Sequence, residues 1–323
     1  MIVNKIYYAL KFGGIKFLIT MIVDKITKKN QIEKAIYDIA QNTKKSDYEK
    51  KLSAYYGVRY GKKLHLNNPY TFSEKIQWLK LFDSSNHLKT KLADKYEVRE
   101  WVASKIGTEY LIPLVGAWDK FSDINISELP SKFVLKTNHG CATNVIITNK
   151  NNVNWSEVEQ IYKGYLSINY AFYAFEPQYM DIKPKIIAEK YIESQEGTLY
   201  DYKIHCFNGQ PYYIHVIGDR DLINHKAYEA FYDIKWNLQE FTSNTFPKYE
   251  KIIEQPKSFD KMLQLAAVLS ADFAYVRVDL YELDNGDIKF GEMTFTPASG
   301  MYDWNPPETD SKWGDLIKLP DNI

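Results

Sequence analysis

The stretch from Val276 to Phe295, VRVDLYELDNGDIKFGEMTF, restricts the fold more than any other part of the chain. Two runs rich in β-branched and aromatic residues flank Asn285-Gly286, and that dipeptide favours a two-residue type I′ turn because both central positions need positive φ. Such a turn predicts a hairpin in which Asp279 faces Glu292, Arg277 faces Thr294 and Val278 faces Met293. Side chains alternate along a strand, so Val276, Val278, Leu280, Met293 and Phe295 share an apolar face, while Arg277, Asp279, Glu292 and Thr294 share the other. Two carboxylates directly opposite, with Cβ atoms about 4.5 to 5.5 Å apart, repel each other. A positive partner is therefore required. With neither Cys nor His in the set, a hard divalent ion such as Mg²⁺ fits. Neutralisation of both acids by Arg277 would satisfy the same requirement.

Upstream, the chain reads as helices. Ile32, Ala35, Ile36 and Ile39 form an amphipathic stripe in a helical region from Gln31 to Tyr56. Thr71-Phe72-Ser73-Glu74 is a capping box opening a helix that runs to Phe82. Leu92 to Ile106 reads as one helix containing Asp94-Lys95 and stopped by Gly107, free to adopt the left-handed conformation. After Pro113 the pattern turns to strands: Phe133 to Thr137, a small-residue loop from Asn138 to Asn144, and Val145 to Thr148. Lys136 lies inside the first of these, where a lysine is costly to bury unless it meets an anion. A helix from Trp155 to Ile168 and a strand from Ile186 to Ile192 lead into an acidic turn with Glu193 and Glu196. A second hairpin, Asp201 to Val216, turns at Asn208-Gly209 and places Asp201, Lys203 and His205 on one face. Ser258 to Asp272 is helical.

Zero formal net charge gives no bulk attraction to nucleic acid, and two cysteines, Cys141 and Cys206, far apart in a chain of 323 residues, point to a reducing, cytoplasmic setting. The 26 tyrosines and 7 tryptophans suit polar-aromatic surfaces as well as core. Charge is unevenly spread. Residues Met1 to Asn30 carry six lysines against one aspartate, a surplus of five positive charges. Lysines and two glycines interrupt this apolar run, so it is poor as a membrane span, and two readings stand: peripheral contact with the inner face of a membrane, or a helix docked on the domain.

The motifs TFSEKIQWLKL, Asp94-Lys95-Tyr96, GTEYLIPL, FVLKTNHG, Glu189-Lys190-Tyr191-Ile192, Asp201-Tyr202-Lys203, Arg277-Val278-Asp279 and FGEMTFTPASGM occur in this order between about Tyr55 and Met301. Together they resemble the TupA-like ATP-grasp family of teichuronopeptide and surface-polysaccharide biosynthesis. The resemblance implies an α+β fold, two subdomains with antiparallel sheets clamping ATP, preceded by a helical N-terminal region. It divides the chain into a helical extension at 1–60, a helical and α/β part at 61–130, a small subdomain at 131–188 and a large one at 189–323. It also implies roles. Lys136 and Lys203 would meet the phosphates, with the loop around His139 and Gly140 closing over them. Glu189, Lys190, Tyr191 and Ile192 would form the hinge against adenine, with Glu193 or a nearby acid reaching the ribose and Asp201 among the nucleotide-binding residues. Asp279 and Glu292 would hold Mg²⁺, beside Arg277. Thr294 stands where many ATP-grasp enzymes carry Asn.

The activity so implied is ATP-dependent carboxylate–amine ligation through an acyl phosphate, joining an amino acid or amine to a uronic-acid carboxyl in capsular or cell-surface polysaccharide synthesis. Arg220, with Asp219 and Tyr232, is the candidate acceptor region, since arginine clamps carboxylates bidentately. Asp219-Arg220-Asp221 also matches the Asp-x-Asp pattern of metal-dependent glycosyltransferases, which keeps a nucleotide-sugar enzyme as the alternative. A non-catalytic scaffold tethered by the basic N-terminus is a third reading.

Overall fold

In the computed structural model, which describes residues 2–27, 31–83, 87–194, 197–221 and 226–320, the basic N-terminal stretch is a helix, α1 (Ile2–Thr27), kinked at Gly14. Gly14 has φ 69° and ψ −164°, a combination that residues with a Cβ rarely adopt, and the kink lets two arms follow the domain surface. The docked side of α1 buries Ala9, Phe12 and Phe17 among side chains of α2 (Gln31–Gln41) and α3 (Tyr48–Tyr60), including Ile36, Leu52 and Tyr56. The single helical region expected from Gln31 is thus two helices, and the polar Asn42-Thr43-Lys44 is the break. Glu196 lies outside the described residues.

Helix α4 (Phe72–Phe82) begins as its capping box predicts. Thr71 Oγ1 accepts from the Glu74 N–H at 3.3 Å, and Glu74 Oε2 accepts from the Thr71 N–H at 3.3 Å. Thr71→Ala is expected to cost about 1 kcal/mol, read as a lower urea midpoint at unchanged slope. The helix expected from Leu92 to Ile106 is also two, α5 (His87–Ala93) and α6 (Val98–Ile106). They part because Asp94 Oδ1 takes the N–H groups of Tyr96 and Glu97 at 2.7 and 3.2 Å, a local bond that competes with the helical ladder. Gly107 ends α6 at φ 116° and ψ 155°, not in the left-handed helical region.

Four antiparallel strands make the first sheet: β1 (Leu114–Trp118), β2 (Phe133–Thr137), β3 (Val145–Ile147) and β4 (Ile186–Lys190), in the order β1-β4-β2-β3. Helix α7 (Trp155–Leu166) covers one face, packing Val158 and Tyr162 near Phe133 and Leu135. Lys136, on the alternate positions, leaves by the other face.

The second sheet has the order β7-β6-β5-β8-β9, built from β5 (Asp201–Phe207), β6 (Gln210–Asp221), β7 (Lys226–Asp233), β8 (Tyr275–Glu282) and β9 (Ile288–Thr294), all antiparallel. Helix α8 (Phe259–Ser270) packs Met262, Leu265, Ala266 and Leu269 onto the face carrying Ile204, Val276, Val278 and Met293. The opposite face is apolar at one end, where Phe72 of α4 and Trp313 of α9 (Thr309–Leu316) meet Phe231 and Tyr275, and charged at the other.

The β8–β9 register is as predicted at the acids, for a different reason. Gly286 alone is left-handed at φ 83°, and Gly286 N–H bonds to Leu283 carbonyl at 2.8 Å, so the connection is a three-residue loop in place of a type I′ turn. That shifts the pairs near the turn by one, to Leu280 with Phe290. A bulge at Gly291 shifts them back, restoring Asp279 opposite Glu292 and Arg277 opposite Thr294. In the β5–β6 hairpin the Asn208-Gly209 turn forms as expected, at φ 49° and 79°, but a bulge beyond Pro211 places His215 opposite Lys203.

Candidate active site

The two acids expected on one face of the β8–β9 hairpin, Asp279 and Glu292, meet at Arg277, and Asp201 of β5 joins them through Lys203. The Arg277 guanidinium donates to Asp279 through Nε at 2.6 Å and Nη2 at 2.7 Å, and Nη2 also donates to Glu292 Oε1 at 3.0 Å. Lys203 Nζ lies 2.5 Å from Asp279 Oδ2 and 2.7 Å from Asp201 Oδ2. Arg220 Nη2 reaches the same Asp201 oxygen at 3.0 Å. Arg277 thus bridges the two facing acids, in a cluster where Asp279 and Asp201 are buried. Burial opposes ionisation of Glu292, but Lys95, then Arg277 and Lys203, outweigh it and hold the carboxyl at about 2.

These residues fit a magnesium ion. All donors are oxygens, and a cationic group already bridges the facing carboxylates. Asp201 Oδ1 is buried with no partner among the described residues, leaving a lone pair for a ligand's donor. Among the described residues no three His, Cys, Asp or Glu side chains gather as a protein-only cage. Asp279 and Glu292 would supply the one or two carboxylates that Mg²⁺ takes, the rest of its shell being water and phosphate oxygens.

Lys95 joins the two sheets, and the motif reading gave it no role. Its Nζ donates to the Gly140 carbonyl and lies 3.6 Å from Glu292 Oε2, while its N–H bonds to the Asn138 carbonyl at 2.9 Å. Asp94 Oδ2 holds the Asn138 amide at 2.7 Å. One signal could have found it: a carboxylate followed by an amine where a helix breaks, beside no other chemistry in that region.

Several of the expected site residues already have partners within the chain. Lys136 already meets an anion, since its Nζ lies 2.6 Å from Glu189 Oε2, and Arg99 holds the other Glu189 oxygen at 3.0 Å. Glu189 and Lys190 belong to β4, paired on both sides, and the Lys190 N–H bonds to Pro113 carbonyl at 2.9 Å. Of the expected hinge, Glu189 and Lys190 thus end a strand and Tyr191 and Ile192 follow it. Glu193 is at the surface, 2.9 Å from Lys132. His139 turns inward, one ring nitrogen 3.0 Å from the Ile168 carbonyl and the other 3.3 Å from Asn138 Oδ1, so it braces the loop. Burial, the main cause, lowers its pKa below the usual imidazole value.

The acceptor guess divides. Arg220 reaches the cluster through Asp201. Asp219, at φ 49°, turns away to accept from Thr198 and Tyr249, and Tyr232 is core, stacked on Trp236 with ring centroids 4.3 Å apart. Tyr232 is therefore removed from the site.

A family profile described as TupA-like ATP-grasp matches residues 74–318. The chain belongs to the TupA-like ATP-grasp family. The two antiparallel sheets after a helical N-terminal region are the ATP-grasp fold. Among solved structures, the chain is similar to N5-carboxyaminoimidazole synthetase from Staphylococcus aureus at 14% identity and TM-score 0.36, covering 63% of this chain and 44% of that one. It is similar to D-alanine–D-alanine ligase from Bacillus anthracis complexed with ATP at 17% identity and TM-score 0.39, covering 70% and 64%. A biotin carboxylase from Campylobacter jejuni in complex with βγ-ATP gives 16% identity and TM-score 0.41, covering 77% and 54%. The match thus spans less than two thirds of each of these structures. No curated protein matches the chain.

Proposed function

We propose that this TupA-like ATP-grasp protein is an ATP-dependent carboxylate–amine ligase working through an acyl phosphate. The carboxylate would be a uronic acid on a glycan or its precursor, and the nucleophile an amino acid or other amine, in the cytoplasm, for capsular or cell-surface polysaccharide. The observation that carries this reading is the bridge from Arg277 to Asp279 and Glu292, with Lys95 linking Glu292 to the Asn138–Asn144 loop.

In the first step an acceptor carboxylate oxygen bonds to the γ-phosphorus as the bridging oxygen leaves with ADP. In the second the amine nitrogen attacks the acyl carbon, inorganic phosphate departs and the nitrogen loses a proton. Both steps bring anions together, so positioning and neutralisation dominate. Lys95, Lys203 and Arg277 supply positive charge along the line from the loop to the acids. Lys136 would join them when nucleotide phosphate competes for it with Glu189. Asp279 and Glu292 would hold Mg²⁺, which when bound neutralises charge on the phosphate oxygens. No nucleophilic side chain is needed. Arg220, 42% exposed at its side chain, would receive a carboxylate from solvent.

The test is incubation with ATP, Mg²⁺ and panels of uronic acids and amino acids, following ADP and product mass. A product lighter than the summed reactants by one water is expected. Consumption of a nucleotide sugar without ADP formation would replace this reading with glycosyl transfer.

A further inference from the structure

The second arm of α1, after the kink, presents an apolar face that is left exposed among the described residues. Ile15, Ile19, Ile22, Val23 and Ile26 are exposed, Ile26 to 76% and Ile15 to 69%, whereas Phe17 on the docked side is buried. With about 100° of rotation per residue, these five occupy an arc of about 100° roughly opposite Phe17. Lys25 lies at one border of that arc and Lys16 at the other. In the first arm Val3, Ile6 and Leu10 are exposed in the same manner. An apolar stripe this long, edged with lysines, is more than a monomer in water ordinarily shows.

By length and mean hydropathy, 1.5 in its most apolar window, α1 could cross a bilayer. Its packing opposes that. Phe12 and Phe17 sit in the core with Leu52 and Tyr56, Lys51 donates to the Phe12 carbonyl that the kink exposes, and the Asn4 amide donates to Gly61 carbonyl at 3.1 Å. Spanning would withdraw all of these from the domain.

We propose that α1 lies in the plane of an anionic phospholipid surface, its isoleucines among the acyl chains and Lys16 and Lys25 at the phosphates. Charge selects this occupant, since the first thirty residues carry a surplus of five positive charges in a chain of zero net charge. Lysine stems reach the interface while their apolar parts cover the flanks of the stripe. The orientation needs no change in the packed side and is independent of the ligase reading.

The experiment is sedimentation of the full chain, without nucleotide, with phosphatidylcholine vesicles lacking or containing phosphatidylglycerol. Binding only to the anionic vesicles is expected, weakened at least about tenfold by Ile19→Asp with Ile22→Asp. Lys16→Glu with Lys25→Glu, which leaves the apolar face intact, should weaken binding and reduce its salt dependence. Failure to bind, or equal binding by both variants, overturns the proposal. So does resistance of the bound protein to alkaline extraction, which would indicate a span. A concentration-dependent dimer that Ile19→Asp dissolves without vesicles would assign the face to a second copy. Loss of ligase activity in every assay would leave these outcomes unchanged.

Discussion

Glu292→Gln is expected to reduce ATP turnover by about a thousandfold or more while leaving the fold intact. Glutamine keeps the size of the side chain and an oxygen for Arg277 Nη2, which now lies 3.0 Å from Oε1. What it removes is a full negative charge beside Lys95, at the point where the proposed divalent ion would bind. That charge is present throughout the working pH range, because the carboxyl is held at about 2. Its folded value lies below the unfolded one near 4.5, so ionised Glu292 contributes stability above that value, and the contribution fades as pH falls from 4.5 toward 2. The variant should therefore lose part of the acid-side decline in stability. Steady-state ADP release with an unfolding midpoint at neutral pH tests both halves. A variant with wild-type turnover would remove Glu292 from metal binding.

Much of this site was legible from residue order alone, because strand alternation is rigid. Once Val276 to Phe295 is a hairpin, Arg277, Asp279 and Glu292 must share a face if the register holds. The register held through two departures that cancel, a longer loop and a bulge at Gly291, neither of which the Asn-Gly signal reveals. Periodicity was less informative where side-chain capping competes with the backbone ladder. Asp94 breaks a helix that its neighbours' apolar spacing would continue, and the break is what brings Lys95 over Gly140 and Glu292. Lys136 and Glu189 stand in separate motifs, and nothing in their order shows that they pair, because their contact runs between strands distant in sequence. His139 misled for a related reason. A histidine in a small-residue loop reads the same whether its nitrogens face a ligand or, as here, Ile168 and Asn138.

Arg277→Met should be the most destabilising single change in the site, by about 3 to 5 kcal/mol, because it leaves buried acids without their shared cation. Asp279 is 2% exposed at its side chain and would keep only Lys203, which Asp201 also claims. Three hydrogen bonds to the carboxylates and one to Thr294 disappear, and the repulsion between the facing carboxylates is no longer screened. The same logic predicts a rescue. If those carboxylates accept Mg²⁺, the ion can take the place of the guanidinium, so added Mg²⁺ should raise the melting temperature of Arg277→Met more than that of the parent chain. Ca²⁺, with a longer bond and a looser shell, should do so less well. Thermal unfolding with and without each ion separates the alternatives. A large loss of stability that no divalent ion repairs would mean that Asp279 and Glu292 serve Arg277 alone, whereas a loss reversed by Mg²⁺ would mean that the arginine holds the place of a metal until nucleotide brings one.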